Sequence, residues 1–70
     1  MKIEDIQELL ENVPYKQKML IIKKEFYEQY KEEIDNLVKD SWFVDLTITN
    51  MLDEKTNAVV MDREIFYGID

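Results

Sequence analysis

The aspartates and glutamates are the residues of this sequence whose number and spacing suggest a chemical role. One set recurs at intervals of three, four and three residues, which places its members in one row along a helix: Glu25, Glu28, Glu32 and Asp35. A second set, Glu4, Glu8 and Glu11, forms a similar row near the N-terminus. Such a row either is the ordinary solvent-exposed face of a helix or presents negative charge to a basic partner.

The charge of the chain is unevenly distributed. The sequence carries 9 Lys and Arg residues against 16 Asp and Glu residues, a formal net charge of −7. Residues 1–24 hold four of the acids and five lysines, whereas residues 25–70 hold the other twelve acids and four basic residues. A body charged in this way favours basic partners and repels nucleic acid and anionic membranes. We therefore expect a basic protein partner and no direct binding of nucleic acid or membrane.

The composition disfavours catalysis. The chain has no cysteine and no histidine, and Ser41 is its one serine, so a Ser–His or Cys–His pair cannot be built. Gly68 is the one glycine, whereas phosphate-binding loops need several. Asp53, Glu54 and Asn57 supply oxygen ligands, but ordinary turn chemistry explains them better than a cation site. We expect no enzyme, no catalytic residue, no bound metal and no cofactor.

The helices that would carry the acidic rows follow from the apolar spacing. Apolar residues at helical intervals predict a first helix over residues 3–12, which Pro14 should end near Asn12. A longer apolar stripe predicts a second helix over residues 15–40. A helix of that length measures about 39 Å, more than a small globule needs, so part of it should contact another molecule.

After Ser41 the apolar residues recur at every second position instead of at helical intervals, which predicts a β-hairpin. Two alternating runs surround the polar segment 53–57. The preferred register pairs the following residues: Ile48 with Met61, Val44 with Ile65, and Trp42 with Tyr67. The face that contains Trp42, Val44, Ile48 and Ile65 should pack on the long helix, because a hairpin is marginal alone.

The outer face of this predicted hairpin is acidic. The register sets Asp45 opposite Glu64 and Thr47 opposite Asp62, and it brings Phe43 and Phe66 together as exposed aromatics. Like charges directly opposite destabilise a sheet, so the acids serve either to protect an edge from aggregation or to bind a partner. The predicted partner-binding set combines the helical row with this face: Glu25, Glu28, Glu32, Asp35, Asp45, Asp62, Glu64, Phe43 and Phe66.

These elements predict an α+β fold in a single domain, residues 1–70, with a short helix, a long helix and a β-hairpin packed on the long helix. A chain of 70 residues has a marginal hydrophobic core, which small proteins usually reinforce with disulfides, a bound metal or oligomerisation. Because the chain has no cysteine and no histidine, oligomerisation is the reinforcement that remains. We therefore expect a homodimer. The longest apolar run, residues 19–22, is too short to span a membrane, and the acidic N-terminus does not resemble a signal peptide, so we expect a cytoplasmic protein.

Charge density decides how far the acidic rows could imitate a nucleic acid. One row places a carboxylate about every 5 Å of helix axis. Duplex DNA carries one charge about every 1.7 Å. One row is therefore too sparse, and rows on neighbouring elements, or rows combined by a dimer axis, would be needed to approach DNA.

In size, net charge, absence of cysteine and histidine, and lack of a catalytic signature, the chain resembles the small acidic proteins that phages make to disable host DNA-binding proteins. These DNA mimics include inhibitors of uracil-DNA glycosylase, of restriction enzymes and of the nucleoid protein HU. The resemblance is one of profile and rests on no motif. It implies a dimer in the host bacterial cytoplasm whose carboxylates occupy the basic DNA-binding surface of a target such as HU. The alternative is a small adaptor or antitoxin-like module that binds through the long helix.

Overall fold

The computed structural model describes residues 2–12 and 17–62. Within these residues, three helices and three strands follow one another: α1 (Ile3–Asn12), β1 (Lys18–Lys23), α2 (Lys24–Gln29), α3 (Lys31–Asp40), β2 (Val44–Thr49) and β3 (Ala58–Asp62). The α+β class predicted from the sequence is confirmed.

The three strands form one mixed sheet in the order β2-β1-β3. The central strand β1 runs parallel to β2, with Lys18 level with Val44 and Lys23 level with Thr49. It runs antiparallel to β3, where Ile22 is level with Ala58. Because β1 and β2 are parallel, the chain must cross over between them, and α2 and α3 form that crossover.

The helices cover one face of the sheet. Side chains alternate between faces along a strand, and every strand residue in or packed against the hydrophobic core belongs to the same face: Leu20, Ile22, Val44, Leu46, Ala58 and Val60. Ile6 of α1 and Ile34 of α3 are fully buried against this face, and Phe26 of α2 joins them. The described part of the molecule is thus a two-layer structure of helices on a sheet.

The first helix has the predicted bounds. It covers Ile3–Asn12, buries Ile6 and Leu10, and turns its acids to solvent. Acids in a first turn suit the positive end of a helix dipole, and the carboxylate of Asp5 accepts a hydrogen bond of 2.8 Å from the backbone amide of Lys2.

The predicted helix over residues 15–40 is wrong. Residues 18–23 form the central strand, and residues 24–40 are divided into α2 and α3 at Tyr30, whose backbone is not helical (φ −124°, ψ 31°); residues 15 and 16 lie outside the described residues. A short apolar run such as Met19–Ile22 fits a central strand, buried on the helix side, as well as it fits a buried helix. Pairing with strands on both sides decides in favour of the strand.

The predicted hairpin pairing is also wrong. Strands β2 and β3 both exist, but β1 lies between them, so neither Ile48 with Met61 nor Thr47 with Asp62 forms a pair. Residues 50–57 connect the two strands across the end of β1, where the backbone amide of Lys23 donates to the carbonyl of Asn57 at 2.9 Å. The pairings predicted for residues 64–67 lie outside the described residues.

Candidate functional site

The solvent side of the helical layer carries most of the described acid. It holds four acids on α1, two on α2 and four on α3, and we call it the acidic helical face: Glu4, Asp5, Glu8, Glu11, Glu25, Glu28, Glu32, Glu33, Asp35 and Asp40. Nine of the ten are exposed, and Asp35 is half-buried. Three lysines lie on the same helices, Lys24, Lys31 and Lys39. The net charge of the three helices is therefore −7, equal to the formal charge of the whole chain.

Packing against the core fixes where these carboxylates point. Ile6 and Leu10 hold one side of α1 on the sheet, and Ile34 does the same for α3, so the opposite sides of both helices face water. The helices α1 and α3 also contact each other. Acids on both helices thus lie on the solvent side of the same helical layer within a single copy of the chain.

The predicted single row of Glu25, Glu28, Glu32 and Asp35 is divided by the break at Tyr30. Glu25 and Glu28 lie on α2, and Glu32 and Asp35 lie on α3. The hydroxyl of Tyr27 donates a hydrogen bond of 2.7 Å to Asp35 and links the two helices. This hydrogen bond raises the pKa of Tyr27, with smaller contributions from burial and from the charge of Asp35.

The structure separates the acids predicted for the outer hairpin face. Asp45 lies on the sheet face opposite the helices, where its carboxylate accepts a hydrogen bond of 3.1 Å from the side-chain amide of Gln17. Asp62 is exposed and level with Lys18 in the register, so its strand position belongs to the helix side. Asp45 and Asp62 thus lie on opposite sides of the sheet, whereas the predicted pairing of Asp45 with Glu64 and the position of Phe66 lie outside the described residues.

The exposed aromatic predicted at Phe43 is wrong. Phe43 is half-buried against the core, and the ammonium of Lys18 lies 5.3 Å from the centre of its ring. Trp42, predicted to be buried, is instead 81% exposed and packs edge-on against Phe43 with ring centres 5.8 Å apart. The strand begins only at Val44, so the alternation used for the prediction does not extend to Trp42.

Lys18 is a buried basic residue that the sequence did not single out. Its side chain lies on the helix side of β1, and its ammonium donates a hydrogen bond to the backbone carbonyl of Leu10, in the last turn of α1. A cation is favourable at this end of a helix, which carries partial negative charge. No periodic signal distinguishes a buried lysine of this kind from an exposed one.

The acidic loop between β2 and β3 forms a turn, as its composition indicates. The Asp53 carboxylate accepts hydrogen bonds from the backbone amides of Lys55 (2.8 Å) and Thr56 (3.1 Å) and from the hydroxyl of Thr56 (3.0 Å). The hydrogen bond from the Lys55 amide is the largest of the effects that lower the pKa of Asp53, followed by the Thr56 hydroxyl, and the charge of Lys23 adds a smaller one. Within residues 2–12 and 17–62, no group of three potential metal ligands comes together.

A shallow groove of about 330 Å³ lies along α1. Its described lining residues are Asp5, Glu8, Leu9 and Asn12, which form one stripe of that helix. The groove therefore extends the acidic helical face and offers two carboxylates with one apolar side chain between them.

No helix in the described part of the chain is long and apolar enough to cross a membrane. Comparison with known proteins adds no relative: no protein-family model, no curated protein and no solved structure matches this chain.

Proposed function

We propose that this protein is a non-enzymatic inhibitor that mimics DNA and occupies the basic DNA-binding surface of a host DNA-binding protein. The histone-like nucleoid protein HU is the candidate target. The observation that carries the proposal is the acidic helical face, whose ten acids, offset by three lysines on the same helices, leave a net charge of −7 on one side of the sheet, equal to that of the chain.

The density of charge on two packed helices supports the proposal. Helices α1 and α3 have ten residues each, a length of about 15 Å, and together they carry eight acids. Lys31 and Lys39 of α3 reduce the net charge of the two helices to −6, roughly one negative charge per 2.5 Å of helix length, which approaches the 1.7 Å per charge of duplex DNA. A single copy of the chain thus supplies the neighbouring rows that one isolated row lacks.

An interaction module that binds through apolar contacts is the second candidate. The long helix that suggested it is absent as one element, but Trp42 is 81% and Met51 is 90% exposed. Large exposed apolar side chains, tryptophan above all, are common anchors of protein interfaces. In this case the acidic helical face serves solubility and the partner need not bind DNA.

Binding to purified HU at two salt concentrations separates the two candidates. A mimic's complex should weaken by at least about tenfold between 0.1 M and 1 M salt, because screening shortens the reach of exposed charges from about 10 Å to about 3 Å. Nonspecific duplex DNA should compete with it. Binding that tolerates salt and ignores DNA supports the apolar module, and no binding to HU or to other basic DNA-binding proteins contradicts the mimic.

A pair of matched variants tests the acidic helical face itself. Glu32→Lys changes an exposed acid on α3, and Glu54→Lys makes the same change in the loop between β2 and β3. We expect Glu32→Lys to weaken target binding at least about tenfold and Glu54→Lys to change it less than about threefold, because close charges across an interface couple most strongly. Equal effects of the two variants would show that only net charge matters, which a shaped mimic does not allow.

A further inference from the structure

The sheet face opposite the helices is a surface with its own composition, which we call the open sheet face. Alternation along the strands assigns to it three residues of β1, three of β2 and two of β3: Met19, Ile21, Lys23, Asp45, Thr47, Thr49, Val59 and Met61. None of these side chains belongs to the described hydrophobic core. Met61 is 50% exposed, and Met19, Ile21 and Val59 are half-buried.

The charge of the open sheet face differs from that of the helical layer. It carries one lysine and one aspartate and is therefore neutral, whereas the three helices carry −7. Two copies of an acidic chain repel each other most weakly through neutral surfaces. Among the described surfaces, the open sheet face combines neutrality with four apolar side chains.

We propose that the open sheet face binds the same face of a second copy of this chain. Lys23 and Asp45 lie at opposite ends of the face, because Asp45 is level with Met19, four residues before Lys23 on β1. Their separation along the strand is about 13 Å. A two-fold axis near Ile21 therefore places Lys23 of each copy over the partner's Asp45, and an interface of identical patches must be self-complementary in this way.

The small area of the open sheet face predicts that this dimer is weak. Three strands of five or six residues cover about 14 by 20 Å. This is well below the roughly 800 Å² that each partner buries in a standard interface. An interface of this size belongs to the weak, transient class, so the dimer should form at high protein concentration rather than be permanent.

The arrangement has a consequence for the acidic helical faces. Packing the two sheets face to face places the helices of both copies on the outside, in four layers. The acidic helical faces then point in opposite directions and do not merge into one surface. The dimer would present two separate acidic surfaces, one for each of two basic partners.

Sedimentation equilibrium of the full chain, from micromolar to millimolar concentration, tests the proposal with variants that reverse or exchange the charges of Lys23 and Asp45. Lys23→Glu and Asp45→Lys should each weaken the dimer at least about tenfold, and the double variant should restore it to within about threefold of the unmodified protein. Lys24→Glu and Glu54→Lys are matched controls, because they change the same charges elsewhere on exposed residues and should leave the dimer within about threefold. Circular dichroism checks that each variant is folded.

Restoration by the double variant is the decisive result. Lys23→Glu also removes the attraction between Lys23 and Asp53, and Asp45→Lys also removes the contacts of Asp45 within its own chain, among them the hydrogen bond from Gln17. The double variant puts a carboxylate at position 23 and an ammonium at position 45 and so recovers none of these contacts, so recovery of the dimer requires pairing between copies. A monomer at millimolar concentration, or single variants no weaker than their controls, would overturn the proposal. A monomer whose Met61 resists oxidation would show that another part of the same chain covers the face. The test uses no target protein, so its outcome is independent of the proposed function.

Discussion

Lys18 connects helix α1 to the central strand and is the charged residue on which the described core depends most. Its side chain is 4% exposed, its ammonium donates to the carbonyl of Leu10, and it lies over the ring of Phe43. A buried charge is tolerated when polar groups compensate it, and here a helix C-terminus and an aromatic face do so.

Replacing Lys18 with methionine should therefore destabilise the protein. Methionine keeps most of the apolar volume but leaves the Leu10 carbonyl without its donor, which costs about 1 to 3 kcal/mol of unfolding free energy. Urea denaturation measures the change. Lys24→Met removes a charge from an exposed position as a control and should stay within about 0.5 kcal/mol of the unmodified protein. An equally stable Lys18→Met variant would show that α1 is held by its apolar contacts alone.

The hydrogen bond from Tyr27 to Asp35 should make stability depend on alkaline pH. The pKa of Tyr27 is raised in the folded protein, chiefly by this hydrogen bond, so its stabilising effect is complete below the unfolded pKa near 10 and is lost as the pH rises through the folded pKa. Tyr27→Phe should melt at a lower temperature than the unmodified protein at neutral pH, and the difference should shrink above about pH 10. A difference that stays constant across this range would mean that the hydroxyl does not contribute through Asp35.

At the scale of elements, β1 determines the topology. It pairs with β2 on one side and with β3 on the other, so its backbone amides should all be protected from hydrogen exchange. In the described sheet, β2 and β3 are edge strands. About half of their backbone amides point to an outer edge and should exchange faster. Exchange measured by NMR can resolve this pattern. Alternating protection in β1 would contradict its central position.

The sequence predicted some elements and missed others for definable reasons. The first helix has a clear apolar face and a proline soon after its end, and both signals are local. Strands β2 and β3 were recognised by their alternation, but their pairing depends on which strand lies between them. That strand, Lys18–Lys23, has no polar alternation at its centre and continues directly into α2, so the sequence alone favoured one long helix.

The candidate site was predicted in composition and not in arrangement. Glu25, Glu28 and Glu32 are exposed on helices as expected, because helix surfaces of this composition face water in most topologies. Asp45 was assigned to the same surface only through the hairpin, and once β1 separates the strands it belongs to the open sheet face. The contact between α1 and α3 joins residues distant in sequence and has no local signal.

At the scale of the whole molecule, we expect salt to act in opposite directions on self-association and on target binding. Each copy carries −7, and self-association brings two such bodies together through neutral faces, so screening should reduce their repulsion and strengthen the dimer. Binding to a basic target brings unlike charges together and should weaken under the same change. Sedimentation of the free protein and binding of the target, each measured at about 0.1 M and about 1 M salt, compare the two directly.

The direction of each response identifies the surface involved. A dimer that weakens with salt would mean that self-association depends chiefly on the two Lys23–Asp45 pairs, so its apolar centre would contribute little. A dimer that strengthens while Ile21→Thr weakens it would place the apolar centre of the open sheet face at the interface, because burial of apolar side chains is insensitive to screening and is favoured at high salt. Ile48→Thr, the same substitution at an exposed residue on the helix side of β2, serves as the control and should leave self-association nearly unchanged.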